Sequence, residues 1–279
     1  RIVAVGDHRA AALACDEAAA LLTGTEASVV RVTITRSGQP SITKMIRREH
    51  VEVPSLEDVQ IIDANFGVAY ARIPTFQATT AADLEAALWK LNEQGMRSLV
   101  LDLRGNPGGL LTASVELADK FIAGGAIVST RGRNQAETFD YRANRAGTWR
   151  VPVVVLIDGD SASASEIFAA AIKDARRGTI VGERSFGKGS VQGIFPLGTS
   201  GAGIRLTTAK FYSPLGRPIS KVGVHPDIDP RRATPAANGQ IISTGAGQLV
   251  GYRGAATPER DDALVTAIEV AHDQPALAL

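Results

Sequence analysis

The chain has 279 residues, is 44% hydrophobic and 21% charged, and carries a net charge of +1. That composition suits a globular protein with a sizeable core. The near balance of charge supplies no field to draw nucleic acid or an anionic membrane. A single cysteine, Cys15, excludes an internal disulfide framework and a cysteine-based metal site. No apolar run reaches the ~18 residues of a membrane-crossing helix. No signal peptide is visible, but the chain opens on Arg1 in what reads as the middle of a domain, and it is expected to be a piece of a longer protein.

Residues 1–5 read as a short strand, and Cys15-Asp-Glu-Ala-Ala-Ala-Leu-Leu-Thr-Gly24 as a helix with acids in its first turn and a glycine to end it. Strands follow over 28–35 and 43–53, separated by a turn at Ser37-Gly38 and Pro40. Residues 54–62 read as a link, 67–74 as a strand, and 80–94 as a helix with Thr80 as its N-cap. Leu99-Val-Leu-Asp-Leu103 is a buried-type strand running into the turn Arg104-Gly-Asn-Pro-Gly-Gly109. A helix over 110–122, an apolar strand over 151–157, a helix over 163–177 and a short strand over 179–181 complete an alternation. Alternating strands and helices predict an α/β core whose largely parallel sheet is covered on both faces. After Gly187 the pattern becomes strands, over 191–197 and 203–211. Residues 230–254, rich in Pro, Gly, Ala and Ser, read as a mobile linker before a last helix over 258–272 that starts from Thr257.

Two segments carry chemistry. Asp158-Gly-Asp-Ser-Ala-Ser-Ala-Ser-Glu166 lies between an apolar strand and a helix. Small residues at such a turn let one hydroxyl stand exposed at the carboxyl edge of a sheet, beside the unpaired N–H groups of the helix's first turn. A serine-rich helix cap is the plainer reading, and the residues alone do not choose among Ser161, Ser163 and Ser165. The second segment, Gly182-Glu-Arg-Ser-Phe-Gly-Lys-Gly-Ser190, has the glycine and lysine spacing of a P-loop. Gly189 stands where that loop needs Ser or Thr for Mg²⁺, and a strand rather than a helix follows, which counts against a nucleotide binder. None of His8, His50, His225 and His272 sits in a motif suited to a base. A neutral lysine, favoured by burial and neighbouring dipoles, serves a serine instead, and Lys188 lies on a loop between two glycines.

Five motifs in order resemble the carboxyl-terminal processing (tail-specific) protease family. They are Asp102-Leu-Arg-Gly-Asn-Pro-Gly-Gly109, Ser161-Ala-Ser-Ala-Ser-Glu-Ile167, Gly182-Glu-Arg-Ser-Phe-Gly-Lys-Gly-Ser-Val-Gln192, Phe211-Tyr-Ser-Pro-Leu-Gly-Arg-Pro-Ile219 and Val224-His-Pro-Asp227. The resemblance covers roughly residues 1–228. It implies Ser163 as nucleophile, Lys188 as general base 25 residues later and Gln192 orienting the lysine. The implied oxyanion hole is the N–H of Ala164 with that of Gly108 or Gly109, the choice between the glycines being open; Arg104 and Asn106 would brace this turn, and Glu166 would stabilise a helix N-terminus.

The implied fold is α/β, a mixed, largely parallel, ClpP/crotonase-like sheet with flanking helices. Residues 1–53 would be the back part of a PDZ domain, 54–229 the protease core, and 230–279 a linker and terminal helix. The implied activity is serine endopeptidase cleavage near apolar C-terminal tails through an acyl-enzyme, with protein or peptide substrates, no cofactor, metal or nucleic acid, and an extracytoplasmic, even membrane-peripheral, location. A catalytically silent peptide-binding scaffold of the same fold is the alternative. The end of the chain, Ala276-Leu-Ala-Leu279, is itself an apolar tail, and self-processing there is an expectation from composition alone.

Overall fold

A computed structural model describes residues 1–13, 15–36, 38–49, 54–144, 148–197, 203–231 and 261–273. Most of the expected linker, the start of the last helix and the Ala276–Leu279 tail lie outside them. The chain divides into two compact units, Arg1–Pro54 and Ser55–Leu279.

The first unit holds β1 (Ile2–Val5), β2 (His8–Arg9), α1 (Cys15–Leu22), β3 (Val29–Ile34) and β4 (Ile42–Arg47). Its strands form an antiparallel sheet in the order β2-β1-β3-β4. The core here is small: Val5, Val30 and Val32 are buried, with Leu21, Leu22 and Ile34 packed on them.

The second unit is built on a five-stranded sheet in the order β11-β10-β7-β6-β5, formed by β5 (Glu57–Asp63), β6 (Val68–Arg72), β7 (Ser98–Asp102), β10 (Val153–Ile157) and β11 (Gly178–Gly182). The pairings among β6, β7, β10 and β11 are parallel, and β5 joins antiparallel to β6 at the edge. Successive residues alternate faces, so an unbroken apolar strand must be covered twice. One face, with Ala69, Ala71, Leu99, Leu101, Val153 and Val155, packs under α2 (Thr80–Glu93), α3 (Leu111–Asp119) and α4 (Ala164–Asp174). The other face, with Val68, Tyr70, Val100, Val154, Leu156 and Val181, is covered by α5 (Asp262–Asp273) through Ala267 and Ala271, one helical turn apart. Helix α2 buries Ala81, Leu84, Leu88 and Leu91, the three-to-four spacing of one helical stripe.

A second sheet, wholly antiparallel in the order β12-β13-β8-β9, contains β8 (Gly125–Gly132), β9 (Phe139–Ala143), β12 (Ser190–Pro196) and β13 (Gly203–Tyr212). Strand β12 lies at one edge of it and β9 at the other.

The structure corrects three local expectations. Residues 54–62 are not a plain link, because Glu57–Asp63 pairs with β6. Strands β8 and β9 occupy a stretch from which no element was expected. Thr80 is the first residue of α2 rather than its cap, which is Thr79; the Thr80 hydroxyl accepts the Gln77 N–H at 2.9 Å. Phe168, fully buried on α4, meets the rings of both Phe76 and Phe121. Phe168→Ala is expected to cost about 3–5 kcal/mol in a denaturant titration. Leu215→Ala, at a residue 69% exposed, should change stability by no more than about 0.5 kcal/mol.

Candidate active site

The site lies at the carboxyl ends of β7 and β10, where the chain leaves the sheet in two turns. After β10, Asp158 accepts the N–H groups of Asp160 and Ser161 at 3.0 and 2.9 Å and so folds the first turn back on itself. The turn ends at Ser163, whose φ of 58° and ψ of −112° form a strained elbow into α4. A non-glycine residue adopts such angles only where its surroundings enforce them, and the sharp bend lifts the side chain off the sheet.

The three serines now separate. Ser161 Oγ, fully buried, donates to the Leu103 carbonyl at 2.8 Å, and Ser165 Oγ, also fully buried, donates to the Asn106 carbonyl at 3.0 Å. Both are ties between the turns. Ser163 is the partly exposed one, and it faces a cleft.

The second turn follows β7. Asn106 is fully buried: its Nδ2 donates to the Ile73 carbonyl at 2.7 Å, its Oδ1 accepts the Gly108 N–H at 2.8 Å, and its carbonyl accepts the Ala162 N–H at 3.0 Å. Gly108 has φ of +110°, and a Cβ there would stand 2.8 Å from Ser163 Cβ. At Gly109, φ +140°, it would stand 2.1 Å from the Phe76 carbonyl oxygen. Neither position admits a side chain, which is what brings this backbone against the serine elbow. The two glycines differ in one respect. The Gly108 N–H is spent on Asn106, whereas the N–H groups of Gly109 and Ala164 donate to no acceptor among the described residues.

The loop that carries Lys188 is pinned from beneath by Glu166. This carboxylate is 0% exposed. Oε2 accepts the N–H of Ser163 at 2.9 Å and of Lys188 at 2.8 Å, and Oε1 accepts the Gly187 N–H at 2.7 Å and the Ser185 hydroxyl at 2.5 Å. Ser185 Oγ in turn accepts the Val224 N–H at 2.7 Å. Ser163, Ala164, Gly109, Lys188 and Gln192 then line one cleft of about 220 Å³, walled by Leu111, Ile167, Val191 and Phe211. Gly108 lies outside that lining. Lys188 is exposed rather than tucked against the sheet edge, Gln192 is exposed on β12, and no hydrogen bond joins Ser163 Oγ, Lys188 Nζ and Gln192 among the described residues.

The α/β fold thus brings a strained serine, a lysine and two backbone N–H groups without an acceptor among the described residues to one cleft. Residues 67–229 match Peptidase family S41, and the chain belongs to that family. It is 40% identical over 245 residues to the carboxy-terminal-processing protease of Bartonella bacilliformis, covering 85% of this chain and 55% of the relative. It is 37% identical to the carboxyl-terminal-processing protease of Synechocystis, covering 81% of this chain and 53% of the relative. Among solved structures it is similar to a photosystem II D1 C-terminal processing protease, with a TM-score of 0.58, 32% identity, and coverage of 82% of this chain and 62% of that one. The chain thus spans about half the length of the relatives it matches.

Glu166 was legible only as a helix-terminus residue; its partners Ser185, Gly187 and Lys188 lie 19 to 22 positions away and are brought to it by the fold. A glutamine in its place presents an NH₂ group where backbone N–H groups already point. Glu166→Gln is expected to cost about 3 kcal/mol or more, lowering Tm by roughly 6–12 °C in a thermal melt. An unchanged Tm would show that the loop is held by other contacts.

Proposed function

We propose that the chain is the catalytic part of a serine endopeptidase in which Ser163 is the nucleophile and Lys188 its general base. The observation that carries this reading is the convergence on one cleft of the strained Ser163 elbow, Lys188 and two N–H groups that have no acceptor among the described residues. Ser163 Oγ attacks the scissile carbonyl carbon as its proton passes to the Lys188 amine. The negative oxygen that forms is received by the N–H groups of Ala164 and Gly109, the latter chosen because the Gly108 N–H is already engaged. Lys188 then passes the proton to the leaving amine, which departs and leaves an acyl-enzyme. In the second half Lys188 takes a proton from water, the hydroxide releases the acid, and Ser163 regains its proton. Gln192, the third residue of β12 and part of the lining of the same cleft, orients the lysine amine. Catalytic hydrogen bonds that are open in an unliganded site commonly close when substrate arrives.

The cleft also suggests what is cut. Its walls are apolar, and Ser190 and Gln192 lie on β12, an edge strand among the described residues, so an extended peptide would pair with that edge and seat an apolar side chain against Ile167 and Phe211. Together with the names of the relatives, this favours protein substrates with apolar C-terminal tails. The first unit is read as the back part of a PDZ domain. Relatives include a chloroplastic peptidase of Tetradesmus obliquus as well as bacterial proteins, and an extracytoplasmic or lumenal site of action is proposed.

The test is cleavage of an unfolded protein with an apolar C-terminal tail, without ATP and with EDTA. The intact chain should cut it, and Ser163→Ala and Lys188→Ala should each lose about 10²–10⁴-fold in rate. Cleavage by either variant at the wild-type rate would sink the assignment, and a folded wild type that binds tails without cutting them would favour a scaffold.

A further inference from the structure

The Arg104 guanidinium is shared between carboxylates from distant parts of the chain. Its Nε donates to both oxygens of Asp102 at 3.0 Å, and its Nη2 to Asp102 Oδ2 at 2.6 Å. Its Nη1 donates at 2.8 Å to Oδ1 of Asp261, 157 residues further on. Asp102 is 1% exposed and also accepts the Tyr70 hydroxyl at 2.8 Å. Burial and the Asp102 charge hold the Tyr70 phenol well above its ordinary range, so it remains a donor.

Asp261 immediately precedes α5, and the oxygen that meets Arg104 also accepts the Leu264 N–H at 3.0 Å. One carboxylate therefore caps α5 and grips Arg104. Burial acts to raise the Asp261 carboxyl, but Arg104 and the cap N–H groups of Leu264 and Ala263 outweigh it and hold the group below its ordinary range. A depressed carboxyl keeps its contribution above the ordinary carboxylate range and loses it only as pH falls through the lowered value. The clamp is intact at neutral pH.

Arg104 is the first residue of the turn that ends at Gly109. The rest of that turn is tied by the Gly105 N–H to Asp158 at 3.0 Å and by Asn106. Arg104 is the member of the turn bonded to the far face of the sheet, where α5 lies. We propose that Asp261 is a positioning residue for the reaction: by holding Arg104 it couples the docking of α5 to the placement of the Gly109 N–H. This rests on the peptidase reading above. Asp261 lies beyond the 67–229 segment that matches the family. Oxyanion donors act only within a few tenths of an ångström of their place, so a small displacement of this turn shows in the chemical step before it shows in binding.

Asp261→Asn separates the two jobs of the residue, because asparagine caps a helix as well as aspartate does but leaves Arg104 without its second charge. The readouts are kcat and KM on a peptide, the rate at which a fluorophosphonate labels Ser163, and Tm. The expected result is a fall of about tenfold in both kcat and labelling rate, with KM unchanged and α5 still docked. Glu269→Gln, on the exposed side of α5, should leave all four unchanged. Wild-type labelling and turnover in Asp261→Asn would overturn the proposal, as would a loss of Tm without a loss of rate. Failure of the wild type itself to cleave the peptide would instead overturn the peptidase reading, and the coupling with it.

Discussion

The arrangement of the site depends on a buried carboxylate. Glu166 forms no ion pair among the described residues. Its charge is met by three N–H groups, one hydroxyl and the N-terminus of α4. An exposed pair such as Arg31 with Asp7 contributes at most about 1 kcal/mol. A buried acceptor with several donors has a larger stake, because each donor left without it is stranded away from water. Two segments that share no secondary structure are thereby held as one piece, the elbow at Ser163 and the loop at Lys188. The register between serine and lysine is set under the cleft, by groups that need never touch a substrate.

Above that staple, the twice-covered sheet supplies rigidity. The strands that deliver the two turns, β7 and β10, are central and fully buried, so the turns at their ends inherit fixed origins. Hydrogen bonds then run directly between the turns, from Ser161 to Leu103, from Ser165 to Asn106, and from Gly105 to Asp158. The serine-rich composition of the elbow has a physical reason in these bonds. Its flanking hydroxyls serve as struts between two loops, and the one between them is left facing the cleft.

Much of this was readable in the amino acids, and the rest has identifiable reasons for being hidden. The segments over 99–103 and 151–157 announced themselves because strands covered on both faces are continuous apolar runs. Strand β5, Glu-Asp-Val-Gln-Ile-Ile-Asp, did not, because an exposed antiparallel edge needs no such run. Strand β9, Phe-Asp-Tyr-Arg-Ala, is likewise short and mostly exposed. At the site, a resemblance singled out Ser163 among three serines and left two glycines open. In the structure the hydroxyls of Ser161 and Ser165 and the N–H of Gly108 are each hydrogen-bonded within the two turns, a distinction that spacing alone does not give. The links from Glu166 to Lys188 and from Arg104 to Asp261 could not be read from spacing, because they span 22 and 157 positions.

The positive φ at Ser163 has a consequence for how such a site can decay. Its backbone angles are costly for any residue with a β-carbon and nearly free for glycine. A Ser163→Gly change would thus remove the hydroxyl and relieve the strain together. On the peptidase reading, folding and chemistry pull in opposite directions at this position: the strain that folding must carry is what lifts the hydroxyl toward the cleft.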